Sequence, residues 1–178
     1  MITIAVAAVT AGGKTTVVRE LLKLLPKAKS LHFDDYSFEG EVEDFAQWVR
    51  DGADYHVWKL DLLAHDIRAI RESGACETLI LDYPFAYRHR QIAPYIDAAF
   101  FIDTPLDIAL ARRVLRDFGE ASAEEIRADL RAYLDFAQPA YLQMLKDIRP
   151  SSDFVIDGLQ SPEAIAAEIA AHLRQKGV

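Results

Sequence analysis

Three observations predict an α/β fold built on a parallel sheet with crossover helices. Short apolar runs alternate with segments of helical period along the chain. Those runs are rich in Val, Ile, Leu or Phe, as strands covered on both faces should be. The first run also leads into a loop of small residues and then Gly13, Lys14 and Thr15 at the mouth of an amphipathic helix. With 178 residues, 51% of them hydrophobic, the chain can bury one substantial core, and a single domain over 1–178 is expected.

Taken in order, strands are expected at 2–9, 29–33, 77–82, 98–102 and 154–156. The first helix buries Val17, Val18, Leu21, Leu22 and Leu25, and Pro26 follows it. A helix over 58–73 carries Leu60, Leu63, Ile67 and Ile70 at helical spacing, with Gly74 as its stop. Thr104, Pro105 and Asp107 read as a capping hydroxyl, a proline at the first helical position and an acid in the first turn, so a helix through Arg116 follows. Ser122 and Glu125 form a capping box ahead of a long helical stretch. Its apolar positions are Ile126, Leu130, Tyr133, Leu134, Tyr141 and Leu145, and Pro139 should kink or divide it. Ser161 and Pro162 open a last helix with Ile165, Ile169 and Leu173 inward and Gly177 beyond its end. Phe45, Trp48 and Val49, at helical spacing between acidic flanks, suit a helical flap over a ligand within 39–57.

The net charge of −8 argues against a nucleic-acid-binding surface, which needs clustered Lys and Arg. An anionic substrate must then be met by local cations. The single cysteine, Cys76, excludes an intrachain disulfide and a thiolate metal cluster. The five histidines show no metal-ligand spacing. With no basic-then-apolar leader and no apolar stretch of about 18 residues, the cytoplasm is the expected compartment and no membrane partner is expected. Homo-oligomer formation stays open.

Ala11, Gly12, Gly13, Lys14, Thr15 and Thr16 read as a phosphate cradle. Loop amides and the unpaired amides of the helix start surround a polyphosphate, Lys14 reaches its outer phosphates, and the Thr15 hydroxyl faces Mg²⁺. Ala8 stands where the usual pattern begins with glycine, and alanine is the least bulky alternative. A phosphotransferase also needs a base, a metal shell and cations over the transferring group. Asp34 and Asp35 follow the second strand at the carboxyl edge of the sheet, where open α/β folds bind ligands, and either carboxylate could face an acceptor hydroxyl. Asp82 closes the third strand, placed to support Mg²⁺ directly or through water. In the loop after it, Tyr83, Tyr87 and Arg88 offer stacking and bidentate binding to a substrate. Tyr36, His56 and Trp58 complete the expected acceptor pocket. Arg112 and Arg116 share a helix face at i,i+4 and can close on a phosphoryl group, whereas Arg113 lies about 100° away.

Together these segments resemble the uridine kinase and phosphoribulokinase superfamily, including nicotinamide riboside kinases, within the P-loop kinases. The resemblance rests on Gly13, Lys14, Thr15 and Thr16, on the acidic pair between Phe33 and Tyr36, on the stretch 101–117 and on 150–157 near an adenine pocket. It implies a three-layer P-loop NTPase fold with a five-stranded parallel sheet in the order 2-3-1-4-5 and a small helical lid over 112–122. It further implies ATP and Mg²⁺ at Lys14 and Thr15, Asp34 as the general base with Asp35 a close rival, and lid arginines of which Arg113 contacts the nucleotide. The chain departs from the pattern at Ala8, at Asp82 and Tyr83 where uridine kinases usually have Glu and Gly, and in 118–122, which lacks their arginine-rich continuation. The expected activity is phosphoryl transfer from ATP to a nucleoside-like or other small alcohol. A regulatory ATPase switch and a nucleotide-binding scaffold are the rival classes, the latter opposed by the intact Lys, Thr and acidic set.

Overall fold

The computed structural model describes residues 1–40 and 42–175. Five strands, β1 (Ile2–Ala7), β2 (Ala28–His32), β3 (Thr78–Asp82), β4 (Ala98–Asp103) and β5 (Phe154–Asp157), form one sheet in the order β2-β3-β1-β4-β5. Every pairing is parallel. The order implied by the resemblance is therefore the observed one. Between the strands lie α1 (Lys14–Leu24), α2 (Phe45–Arg50), α3 (Asp61–Ser73), α4 (Leu106–Asp117), α5 (Ala123–Ala132) and α6 (Gln138–Asp147), and α7 (Pro162–Gln175) follows β5.

Strand alternation sorts the core into two layers. Ile4, Val6, Ile80, Phe100 and Ile102 face α1 and α7, which bury Val17, Leu21, Ile165 and Ile169 against them. Ala5, Leu79, Leu81 and Phe101 face the opposite way, onto Leu63 and Ile67 of α3. Helices thus cover both faces of the central strands β1, β3 and β4, which is why those strands carry little polar alternation, while the edge strands β2 and β5 stay partly exposed. The carboxyl ends of β1, β3 and β4 converge where the strand order reverses, and that crevice is where such sheets bind ligands.

Several expectations need correction. β1 ends at Ala7, and 8–13 already belong to the loop. Trp58 lies outside α3, which starts at Asp61: the Asp54 carboxylate accepts from His56 N–H at 2.9 Å and winds Tyr55–Val57 into a separate 3-10 turn, leaving Trp58 extended. Thr104 does not cap α4. Pro105 holds the cap position, and the Thr104 hydroxyl instead donates to the carbonyl of Gly12 at 2.9 Å. Leu134 is exposed, because a π-helical turn over Tyr133–Ala137 rotates the stretch just ahead of Pro139. That wider turn absorbs the proline without ending the helix. The Ser122 and Glu125 capping box is present as expected. Gly177 lies outside the described residues. Among the described residues, no helix is long and apolar enough to cross a membrane.

Candidate active site

The loop between β1 and α1 is shaped by two left-handed residues, Ala11 (φ 56°) and Gly13 (φ 103°). Alternating handedness turns successive amides inward and makes a concave anion nest. Gly13 relieves the strain an L side chain would meet there. Gly12 answers a different demand, close approach: a Cβ would lie 2.8 Å from the Ala8 Cβ and 2.9 Å from the Val9 carbonyl oxygen. The Ala8 methyl is fully buried against that spot, so it is accommodated because residue 12 carries no side chain. The start of α1 has no side-chain cap and no acid in its first turn, so its amides and positive dipole end are left for an anion. The Thr104 bond to Gly12 ties the back of the loop to the end of β4.

Next to the loop, the Thr15 hydroxyl donates to Asp82 Oδ2 at 2.6 Å. Asp82 is only 3% exposed, and His32 Nδ1 lies 3.1 Å from the same oxygen while His32 Nε2 meets the Ser30 hydroxyl at 2.9 Å. These donors satisfy an oxygen that burial has removed from water. The hydroxyl and carboxylate together fit Mg²⁺, a hard cation that takes one or two protein oxygens and completes its shell with phosphate oxygens and water.

The loop opens into a cavity of about 660 Å³ that runs across the sheet edge. On the β4 and β5 side it is walled by Arg112, Gly158, Gln160, Pro162 and Ile165, with Arg112 donating to the Gly158 carbonyl at 3.4 Å. On the β2 and β3 side, Asp34 reaches it from the 3-10 turn Phe33–Asp35. Trp48 of α2, Trp58, Phe85 and the α6 residues Tyr141 and Met144 complete that end. Arg116 also lines the cavity and is held by Asp117 through two bonds of 2.6 and 2.9 Å. The pair keeps the Arg116 guanidinium firmly charged, raising its pKa chiefly through the hydrogen bond to Asp117.

Of the residues the sequence singles out, Ala11 to Thr16, Asp34, Trp58, Arg112 and Arg116 line this one cavity, and Asp82 sits directly behind Thr15. The others lie elsewhere. Asp35 does not line it, and its charge acts on Tyr36, whose hydroxyl donates to Asp66 at 2.8 Å. Burial and the nearby carboxylates push the Tyr36 hydroxyl pKa up. Tyr83 is 1% exposed behind the wall, in ring contact with Phe33 and Phe85. His56, Tyr87 and Arg88 surround a second, smaller hollow of about 380 Å³, and the Tyr87 hydroxyl donates to Asp153 at 2.6 Å. Arg113 faces away and grips Asp129 with bonds of 3.0 and 2.5 Å, joining α4 to α5.

The reading of the sequence missed Phe33, Tyr55, Phe85 and Met144 as cavity residues. One signal was available on α6 and the turn before it: Ala137, Ala140, Tyr141 and Met144 recur at spacings of three and four, a stripe that has to face something.

No family model matches the chain. A uridine kinase of Leuconostoc citreum (strain KM20) is 24% identical over 194 residues, covering 92% of this chain and 92% of that protein. The chloroplastic uridine/cytidine kinase UKL1 of Arabidopsis thaliana is 24% identical over 173 residues; the match takes in 83% of this chain but only 36% of that longer protein. Among solved structures, a possible uridine kinase from Bacillus stearothermophilus superposes with a TM-score of 0.57 at 15% identity, covering 88% of each chain. In sequence the chain is similar to the uridine kinases, and its fold is that of the P-loop kinases.

Proposed function

We propose that the protein is an ATP-dependent small-molecule kinase that transfers the γ-phosphoryl group of ATP to a hydroxyl of a nucleoside-like or other small alcohol. One observation carries the reading: the amide nest with Lys14, the Thr15 hydroxyl backed by Asp82, and the Asp34 carboxylate meet at the same cavity. Lys14 and the loop amides bind the phosphates, and Arg112 and Arg116 neutralise charge that spreads over the transferring group. Asp34 orients the acceptor hydroxyl and takes its proton as the oxygen attacks phosphorus. The bond to the bridging oxygen breaks, and its electron pair leaves with ADP. Mg²⁺, when bound at Thr15 and Asp82, neutralises phosphate charge. Most of the rate then comes from positioning, since a loose phosphoryl transition state asks little covalent chemistry of the protein.

In this reading 39–57 serves as a flap on the acceptor side, where α2 brings Phe45 and Trp48 to the cavity, and 112–122 serves as the lid over the phosphates. Product analysis tests the proposal. Purified protein with MgATP and a panel of nucleosides, vitamin precursors, sugars and amino alcohols should form ADP in proportion to a phosphorylated acceptor. ADP accompanied only by free phosphate would instead favour the nucleotide-switch class.

A further inference from the structure

On the reading that Thr15 and Asp82 hold Mg²⁺, we infer that His32 is a positioning residue for that metal: with Ser30 behind it, it fixes the Asp82 carboxylate through one oxygen and leaves the other to the metal shell. The sheet register puts these side chains together. β2 and β3 run parallel, with His32 opposite Asp82 and Ser30 opposite Ile80. Ile80 packs in the layer of α1, and residues two apart on a strand share a face. Ser30, His32 and Asp82 therefore lie on the side of the sheet where Thr15 stands in the first turn of α1.

The bonds form a line across that face. The Ser30 hydroxyl meets His32 Nε2 at 2.9 Å, His32 Nδ1 lies 3.1 Å from Asp82 Oδ2, and the Thr15 hydroxyl donates to the same oxygen at 2.6 Å. The roles follow from the chemistry of the groups. A carboxylate oxygen only accepts, so Nδ1 carries the hydrogen, and Nε2 is left with the lone pair that accepts from Ser30. Ser30 thereby selects the tautomer in which His32 donates to Asp82.

Both donors fall on Oδ2, and among the described residues none donates to Oδ1. Asp82 is 3% exposed, and an oxygen so placed and kept from protein donors suits a hard cation or one of its waters. Packing does not explain the histidine. Its side chain is 27% exposed at the end of the edge strand β2, and both its nitrogens are spent on this line of bonds. Loss of a partner that holds a metal ligand from behind weakens metal binding by about 10- to 100-fold.

Calorimetry of a non-hydrolysable ATP analogue binding to the full chain, in EDTA and over a series of free Mg²⁺ concentrations, tests the inference without turnover. His32→Leu removes the donor and should raise the Mg²⁺ concentration that gives half of the tightening by about tenfold or more. His32→Asn puts an N–H close to where Nδ1 stands and should bring that concentration back to within about threefold of wild type. Ser30→Ala frees the tautomer and should raise it by about threefold or more. Affinity in EDTA should be equal in all four proteins, because the phosphate loop is untouched, whereas a merely structural role for His32 would lower it as well. A wild-type Mg²⁺ response in His32→Leu, an asparagine variant as impaired as the leucine one, or an equal loss in EDTA overturns the inference. If the leucine variant does not fold, Ser30→Ala decides, since it leaves the ring in place: an unchanged Mg²⁺ response there overturns the inference. The underlying reading fails separately. Nucleotide binding that Mg²⁺ does not tighten in the wild type would remove the metal site at Thr15 and Asp82, while a normal wild-type response with indifferent variants would remove only His32.

Discussion

The hydroxyl of Thr15 and the carboxylate of Asp82, 67 residues apart in the chain, are joined by a 2.6 Å hydrogen bond at the foot of the phosphate loop. The contact exists because β1 and β3 are adjacent and parallel, with Val6 in register with Asp82. Replacing Asp82 by Asn keeps the shape and removes the charge. Steady-state turnover should fall by about 100-fold or more, with the far-ultraviolet spectrum unchanged. Near-normal turnover at saturating Mg²⁺ would remove Asp82 from the metal shell.

Asp34 and Asp35 are separated by orientation: the first lines the cavity, and the second acts on Tyr36 at its back. Asp34→Asn is therefore expected to lower kcat by about 10²- to 10⁴-fold while nucleotide affinity is spared. Asp35→Asn should leave kcat within a few-fold. A selective loss in the Asp35 variant would move the base to that residue.

Tyr83 is 1% exposed, and its hydroxyl has no hydrogen-bond partner among the described residues. Burial pushes its pKa well above the usual tyrosine value of 10.0. Removing that oxygen relieves a desolvation cost, so Tyr83→Phe should stabilise the fold by about 1 kcal/mol and raise Tm by roughly 2–4 °C. Acceptor KM should not move, since the ring sits behind the wall. A loss of acceptor binding would return Tyr83 to the substrate site, where the sequence had suggested it.

His89 is buried and held at both ring nitrogens, with Nε2 3.0 Å from the Trp58 carbonyl oxygen and Nδ1 accepting from Gln91 N–H at 3.3 Å. That geometry suits the neutral ring, and burial pushes its pKa below the ordinary 6.5. As pH falls below that value, the unfolded chain binds a proton that the folded chain resists, so stability drops with acidification. Above it, the contribution is complete. Urea midpoints should therefore fall between pH 7.5 and pH 5, and His89→Gln should flatten part of that slope. An equal slope in the variant would assign the pH dependence to other groups.

The strands were legible because burial on both faces leaves runs such as Leu79, Ile80 and Leu81 with little else to become. The phosphate loop was equally plain, since its chemistry is local. Strand order was not written in the residue pattern and came only with the family resemblance, because crossovers, not composition, decide which strands are neighbours. The aromatic wall was hidden for a related reason. It is assembled from four separate segments, and loop residues close in sequence can face opposite ways, so Tyr83 and Tyr87 drew notice while Phe85 between them reaches the cavity. Thr104 misled through a good local rule: its position before Pro105 reads as a helix cap, but its hydroxyl is used by the distant Gly12 carbonyl.

The central claim is that the loop ending in Lys14 grips a nucleotide polyphosphate together with Mg²⁺. Calorimetric titration with a non-hydrolysable ATP analogue tests it directly, with and without Mg²⁺, in the wild type and in Lys14→Ala. The account predicts saturable binding at one site that strengthens with Mg²⁺ and weakens by about 100-fold or more in the variant. Binding that is absent, or indifferent to both the metal and Lys14, would contradict it.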